Sequence, residues 1–473
     1  MRLAPKLLSV ALAVATAMPA VAAADDTAAL LAELKRLAQR VEVLEQQNKE
    51  MEKSLATDRI SEKEPEVVTR LKAVEFQTLS MQKQARQIEA LEGITAGAEL
   101  IGVFQNAGKN GTASAQRETL ANYRGDVFVS LPGGEMGDTE GKIFTHMRFG
   151  QGNGVGLRPT YTSTPNTTAF QVGSVVADDS FAILAQAWYQ LSTPLLRGGA
   201  KADARERIDL TIGKIDPFVF FDQNAAADDE SAMFMNNAFV HNPLLDSGGD
   251  VGADAYGFAP GAIAQYVNER EKGSEWGLSI GVFGSGSGAN FTGPISRPLV
   301  IAQAETAARF NYLPGNYRAY LWSNGHGSDY NGAERRHSGI GFSVDQKVGD
   351  ALTLFARYGQ QFDGKVRFDR ALTVGGELGG SEWGRSADSL GVAFGALRTS
   401  DDYRNESTLF DLDGDGATDP QASSSETQVE LYYRYKVNSQ FELTPDFQLI
   451  RRPAGDGSGS TVKVAGMRAK IGF

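Results

Sequence analysis

From Thr461 to Phe473 the chain reads TVKVAGMRAKIGF, and its side chains alternate. Phe473, Ile471, Ala469, Met467 and Ala465 fall on one face, with Lys470, Arg468 and Gly466 on the other. A period of two is that of a β-strand, and a strand that sets apolar against cationic residues divides an apolar phase from water. The same alternation recurs from Ile94 onward in short segments divided by Gly-, Asp-, Asn-, Ser- and Pro-rich turns. The segments are 94–105, 123–131, 141–150, 182–192, 206–214, 258–268, 275–284, 299–311, 315–323, 337–347, 350–359, 387–398, 427–437, 440–451 and 461–473, with a weaker one at 366–374. They number sixteen with the weak one, and an even count is what a single-chain bacterial membrane barrel requires.

Individual strands carry two chemically distinct faces. Val429, Leu431, Tyr433, Tyr435 and Val437 oppose Glu430, Tyr432, Arg434 and Lys436. Phe441, Leu443, Phe447 and Leu449 oppose Glu442, Thr444, Asp446 and Gln448, and Gln303, Glu305, Arg309 and Asn311 share one face of 299–311. A soluble sandwich alternates as well, but the length of the series and the aromatic last residue favour a transmembrane antiparallel β-barrel, all-β in class. After the first two dozen residues no apolar run reaches the length of a membrane helix. Cysteine is absent, which excludes disulfides and thiolate chemistry. The formal net charge of −12 disfavours nucleic acid as a partner.

The N-terminal region reads differently. Arg2 and Lys6 precede an apolar stretch, Leu7 to Met18, and small residues through Ala24, as in a secretory signal peptide over 1–24. Its removal takes two positive charges and moves the net charge from −12 to −14. Leu30, Leu34, Leu37, Val41, Leu44, Asn48, Met51 and Leu55 follow at alternating spacings of 4 and 3, a heptad seam with Asn48 at an a position. The spacing predicts a periplasmic coiled coil over 25–62. Pro65 breaks it, a weaker helical period links 63–92, and the barrel domain begins at 93.

The segment GKIDPFVFFDQNAAADDESAMFMNNAFVHNPLLD (Gly213 to Asp246), the segment LTPDFQLIRRP (Leu443 to Pro453) and the final VAGMRAKIGF strand resemble the OprB-type carbohydrate-selective porin family. The resemblance covers roughly Gly93 to Phe473. It implies a sixteen-stranded barrel in the bacterial outer membrane, commonly a homotrimer, that passes small neutral solutes such as monosaccharides and surrounds itself with outer-membrane lipid. The coil looks like the periplasmic extension of some outer-membrane porins.

Two segments are too long for simple turns, 215–257 and 399–426. The first carries Asp222, Asn224, Asp229, Glu230, Asn236 and Asn237 behind Phe218, Phe220 and Phe221. Folded into a barrel, it would anchor through its phenylalanines and offer carboxylates and amides to a permeant. On the strands, Arg148 alternates with Phe144 and His146, and Arg318 with Tyr320 and Trp322. The arginines belong to the lumen, because a cation facing lipid costs about 2–4 kcal/mol at the midplane. For Trp322, as for Trp188, lumen wall and interfacial girdle are both open. These residues form the expected constriction: Asp222, Asn224, Asp229, Glu230, Asn236, Asn237, Arg148, Arg318 and Trp322.

Asp411, Asp413, Asp415 and Asp419 follow the spacing that begins a calcium loop, although Ala422 stands where the bidentate glutamate belongs. A weak calcium site is the only metal the sequence admits. The four histidines, His146, His241, His326 and His337, lie in no G-x-S-x-G or H-E-x-x-H setting, so catalysis is not expected. Alternatives to a sugar pore are a general or anion-selective porin and an envelope spacer acting through the helical stalk.

Overall fold

A computed structural model of the protein describes residues 93–473 other than 113–115, 158–159, 162–163, 171–178, 196–204, 246–252, 413 and 415, together with the helical positions Gln39, Val43, Gln46 and Lys49. The signal peptide, the heptad seam, the helical linker, Asp413 and Asp415 lie outside the described residues.

Gly93–Phe473 is one compact unit. Its strands are β1 (Thr95–Ala107), β2 (Glu118–Met136), β3 (Thr139–Gln151), β4 (Phe181–Pro194), β5 (Glu206–Ile215), β6 (Ala259–Asn268), β7 (Trp276–Phe283) and β8 (Leu299–Phe310). They continue as β9 (Leu313–Ser328), β10 (Glu334–Lys347), β11 (Leu352–Asp363), β12 (Phe368–Gly379), β13 (Ser389–Thr399), β14 (Glu426–Lys436), β15 (Phe441–Arg451) and β16 (Val462–Gly472). Each strand pairs with its sequence neighbours, and β1 pairs antiparallel with β16, so the sheet closes as a sixteen-stranded barrel. Closure leaves no strand edge unpaired, the condition for a sheet to span lipid. All sixteen expected strands are present. The weak segment at 366–374 is the full-length β12, which carries a register shift between Phe368 and Arg370 and three glycines, Gly375, Gly376 and Gly379, that dilute its alternation.

The chain turns short at one end and long at the other. Asn311 and Tyr312, both at positive φ (50° and 66°), make the two-residue turn from β8 to β9, the type I′ geometry that suits the twist of a hairpin. The opposite end carries 152–180, 216–258, 284–298 and 400–425. In outer-membrane barrels the longer loops are extracellular.

Alternation sorts the walls. Leu100, Phe104, Leu210, Leu278, Leu321, Leu372, Phe394, Leu431, Phe447 and Met467 are exposed on the outer surface. Arg124, Asp126, Gln303, Arg357, Glu430, Gln448 and Arg468 are buried on the inner one. A barrel of this size has a lumen too wide for wall side chains alone to fill. Here the segment after β5 supplies the filling. Phe220, Phe221, Phe234 and Phe239 turn into the barrel and are buried against wall aromatics that include Trp188, Trp322, Phe283, Phe355 and Tyr432. Inner glycines make room for those wall rings. A Cβ on Gly339 would lie 2.2 Å from the Trp322 ring, and one on Gly341 2.3 Å from Tyr320.

Candidate functional site

The inward segment is held by hydrogen bonds placed in sequence along the wall. Near its start the Asp222 amide donates to Gln303 Oε1 (3.0 Å), and Tyr320 donates its hydroxyl proton to Asp222 Oδ1 (2.7 Å). Arg357 donates to the carbonyls of Asp222 (3.0 Å) and Phe239 (2.8 Å) and pairs with the Asp222 carboxylate at 3.2 Å. Asn224 Nδ2 donates to Ser343 Oγ and to the Val344 carbonyl. Farther on, Glu430 accepts from the amides of Met235 (2.6 Å) and Asn236 (3.0 Å). Asn236 Nδ2 donates to Gln448 Oε1 at 3.0 Å, and Arg468 Nη1 donates to the carbonyls of Glu230 and Met233. Asn236 also caps the short helix α1 (Asn237–Val240), its side chain accepting from the Ala238 amide. The segment therefore docks on β8–β11 and again on β14–β16.

This settles where the sequence-derived residues stand. The segment folds inward, but Asp222 (0% exposed), Asn236 (1%) and Asn224 (4%) are covered. They are anchors, because each spends its polar atoms on backbone or wall groups. Trp322 (1% exposed) is a lumen-side residue and not a girdle residue, and it too is covered by the packed segment. None of these four is open to a permeant, contrary to the expectation for a constriction. Asn237 is half-buried in α1, its amide donating to the Thr164 carbonyl. Trp188 likewise faces inward, stacked on Phe144 at 4.8 Å.

Between the segment and β2–β3 lies a set of charged residues that face each other. On β2 and β3, Asp126 sits opposite Arg148 in register and gathers three bases: Arg124 Nε at 2.7 Å, Arg148 Nε at 2.7 Å and His146 Nε2 at 2.6 Å. Arg124 Nη1 reaches across to Glu230 Oε1 at 2.7 Å. Burial alone would raise the Glu230 carboxyl, but Arg124 and then Arg148 outweigh it and hold it at about 2. Asp229 accepts from the Ser231 amide and lies 4.0 Å from Lys470, itself paired with Glu99 at 2.8 Å. Asp216, at the segment's root, is raised by burial against the pull of His241. Asp228, beside His241 (3.7 Å) and Arg357 (3.5 Å), is pushed up to about 7 by burial despite both neighbours. Arg318 lies apart, on β9, between Asp345 (3.1 Å) and Glu305 (3.5 Å).

The lumen thus has a basic side, Arg124, Arg148 and Lys470, and an acidic inward segment, Asp216, Asp229 and Glu230. Arg124, Asp126, Arg357 and Arg468 were not singled out by sequence. The two on β2 carry a signal that would have found them, since Asn122, Arg124 and Asp126 alternate onto the inner face.

At the extracellular end, Asp411 accepts from the Gly414 and Gly416 amides. Asp419 accepts from the Leu412 amide and the Tyr403 hydroxyl. Both described carboxylates are engaged in shaping the loop, and among the described residues no group of three acidic or histidine side chains is placed to hold a metal ion.

A closed sixteen-stranded barrel, lipophilic outside and narrowed inside by a charged inward segment, defines an outer-membrane porin. The chain belongs to the carbohydrate-selective porin, OprB family, whose model matches residues 66–473. It is similar in fold to Pseudomonas putida OprB in its high-pH structure, with 17% identity over 82% of this chain and 96% of that one and a TM-score of 0.64. It is also similar to the outer membrane channel DcaP of Acinetobacter baumannii, with 12% identity over 80% of this chain and 97% of that one and a TM-score of 0.51. No curated protein matches it in sequence. The protein is a passive carbohydrate channel of the bacterial outer membrane.

Proposed function

We propose that the channel selects monosaccharide-sized neutral solutes at the gap between Arg148 and the Asp229–Glu230 stretch of the inward segment. The observation that carries this reading is the 2.7 Å contact between Glu230 and Arg124, with Arg148 held beside it through Asp126. Opposed charges in close pairs leave little unbalanced field along the pore, so a permeating ion gains little from either wall. The same groups offer charged donors and acceptors to hydroxyls, which exchange water for them at small net cost. Arg318, with Glu305 and Asp345, would repeat the arrangement nearer the periplasm. Asn237 supports the segment's turn rather than touching solute.

Liposome swelling with graded sugars, beside bilayer conductance, tests the reading. Faster passage of glucose-sized sugars than of size-matched ions, lost in Arg148→Gln with Glu230→Gln, is the expected result. Equal rates for ions and sugars in the unaltered protein would reduce the channel to a general porin. The heptad seam further supports a homotrimer joined by its periplasmic coil. Deleting 25–92 would leave sugar flux per barrel intact while abolishing crosslinked trimers if the coil carries the assembly.

A further inference from the structure

A group of cations stands on the outer surface of this acidic chain at the extracellular ends of β12, β13, β15 and β16. Arg370 lies near the start of β12, Arg398 near the end of β13, Arg451 at the end of β15 and Lys463 near the start of β16. All four strands meet the extracellular loops at these positions. Arg370 and Arg398 are direct cross-strand partners, and Arg451 stands opposite Thr427. Counting in twos toward the membrane from each cation leads to an outward apolar residue: Leu372 from Arg370, Phe394 from Arg398, Phe447 from Arg451 and Met467 from Lys463, all exposed. The cations therefore crown the lipid-facing stripe at the height where acyl chains give way to headgroups.

Arg398 is neutralised by Asp369 (2.7 Å) and Asp401 (2.9 Å). Arg370, Arg451 and Lys463 are exposed and have no carboxylate partner among the described residues. Arg452, next in the chain, is exposed as well, held at a φ of 53°. Unpaired arginines at a membrane surface match phosphate, which they bind in bidentate fashion. On the lumen wall, by contrast, Arg124, Arg148, Arg318 and Arg357 are each paired with a carboxylate.

We propose that the outer rim of β12–β16 binds the phosphorylated headgroup of the outer-leaflet glycolipid, lipopolysaccharide, through Arg370, Arg451 and Lys463. Such a ligand would clamp the closing strands of the barrel from outside, independently of solute passage.

The test is a titration of the detergent-purified full-length protein with lipopolysaccharide, followed by bound-lipid quantitation. It is run on the unaltered protein and on the Arg370→Gln, Arg451→Gln, Lys463→Gln triple variant. Loss of about a hundredfold in affinity is expected from three surface cations, with sugar-driven swelling unchanged. Dephosphorylated lipopolysaccharide should bind the unaltered protein as weakly as intact lipid binds the variant. Arg451→Lys should keep most of the binding where Arg451→Gln loses it, which covers the case of a triple variant that fails to fold. Equal affinity of variant and unaltered protein would overturn the proposal. So would indifference to dephosphorylation, or binding of phosphatidylglycerol vesicles as tight as that of lipopolysaccharide.

Discussion

Arg124 Nη1 and Glu230 Oε1 lie 2.7 Å apart across the lumen, joining residues 106 positions apart in the chain. The contact ties the inward segment to β2, near its anchors on β14–β16 and away from those on β8–β11. Glu230→Gln removes the carboxylate and leaves the Arg124 and Arg148 charges shared by Asp126 alone. The expected outcome is a reversal potential in a salt gradient that moves toward anion preference, with a loss of about 1–3 kcal/mol in local stability. An unmoved potential would show that Glu230 does not face the conducting path. Because Glu230 is held at about 2, below its usual 4.5, its contribution is complete above pH 4.5. It disappears as pH falls through 2.

Asp228 has the opposite sign. With its carboxyl raised to about 7 from 3.8, the folded channel holds a proton that the unfolded chain has released. Its effect on stability is therefore most favourable below pH 3.8 and is lost as pH rises toward 7. Its charge appears in the channel over the same rise. Cation preference should increase between pH 6 and 8 in the unaltered protein and stay flat in Asp228→Asn. A pH-independent potential in both would place the titration elsewhere.

Arg357 is buried among backbone carbonyls and the Asp222 carboxylate. Arg357→Met leaves that carboxylate with Tyr320 and the Asn242 amide only. Breaking a buried pair from one side costs about 3–5 kcal/mol. Proteolysis of residues 216–245 should become faster and single-channel conductance larger and noisier, while the barrel resists detergent as before. Asp222→Asn added to Arg357→Met should recover part of the loss.

Trp322 separates packing from recognition. Trp322→Ala removes the ring from beneath the inward segment at a cost of about 3–5 kcal/mol. Since the side chain is covered, the ratio of glucose to larger-sugar flux should fall through loosening of the segment. The sugar concentration that half-blocks ion current should not change. A change in that concentration alone would mean that Trp322 touches the sugar after all.

The strands were legible because a barrel wall imposes a period of two on every residue between lipid and lumen. Where glycines and a register shift interrupt that period, as in β12, the signal fades. The phenylalanines at 218–221 announced that the long segment after β5 seeks an apolar seat. Which of its polar residues face solute was not legible. A loop has no periodicity, and an anchoring Asp222 reads like a half-exposed Asp229. The acidic run at 411–419 shows the same limit: the spacing suited a cation, whereas Asp411 and Asp419 bend the loop by accepting from nearby amides and a tyrosine.

The inward segment leaves β5, yet most of its sockets, Gln303, Tyr320, Ser343, Arg357, Glu430, Gln448 and Arg468, come later in the chain, Arg124 on β2 being an earlier one. The aperture is thus written twice, once in the segment and once in the wall that receives it. A constriction transplanted alone from another porin would arrive without its fittings. Sugar preference in this scaffold should change by matched pairs of substitutions, one in each half of the sequence.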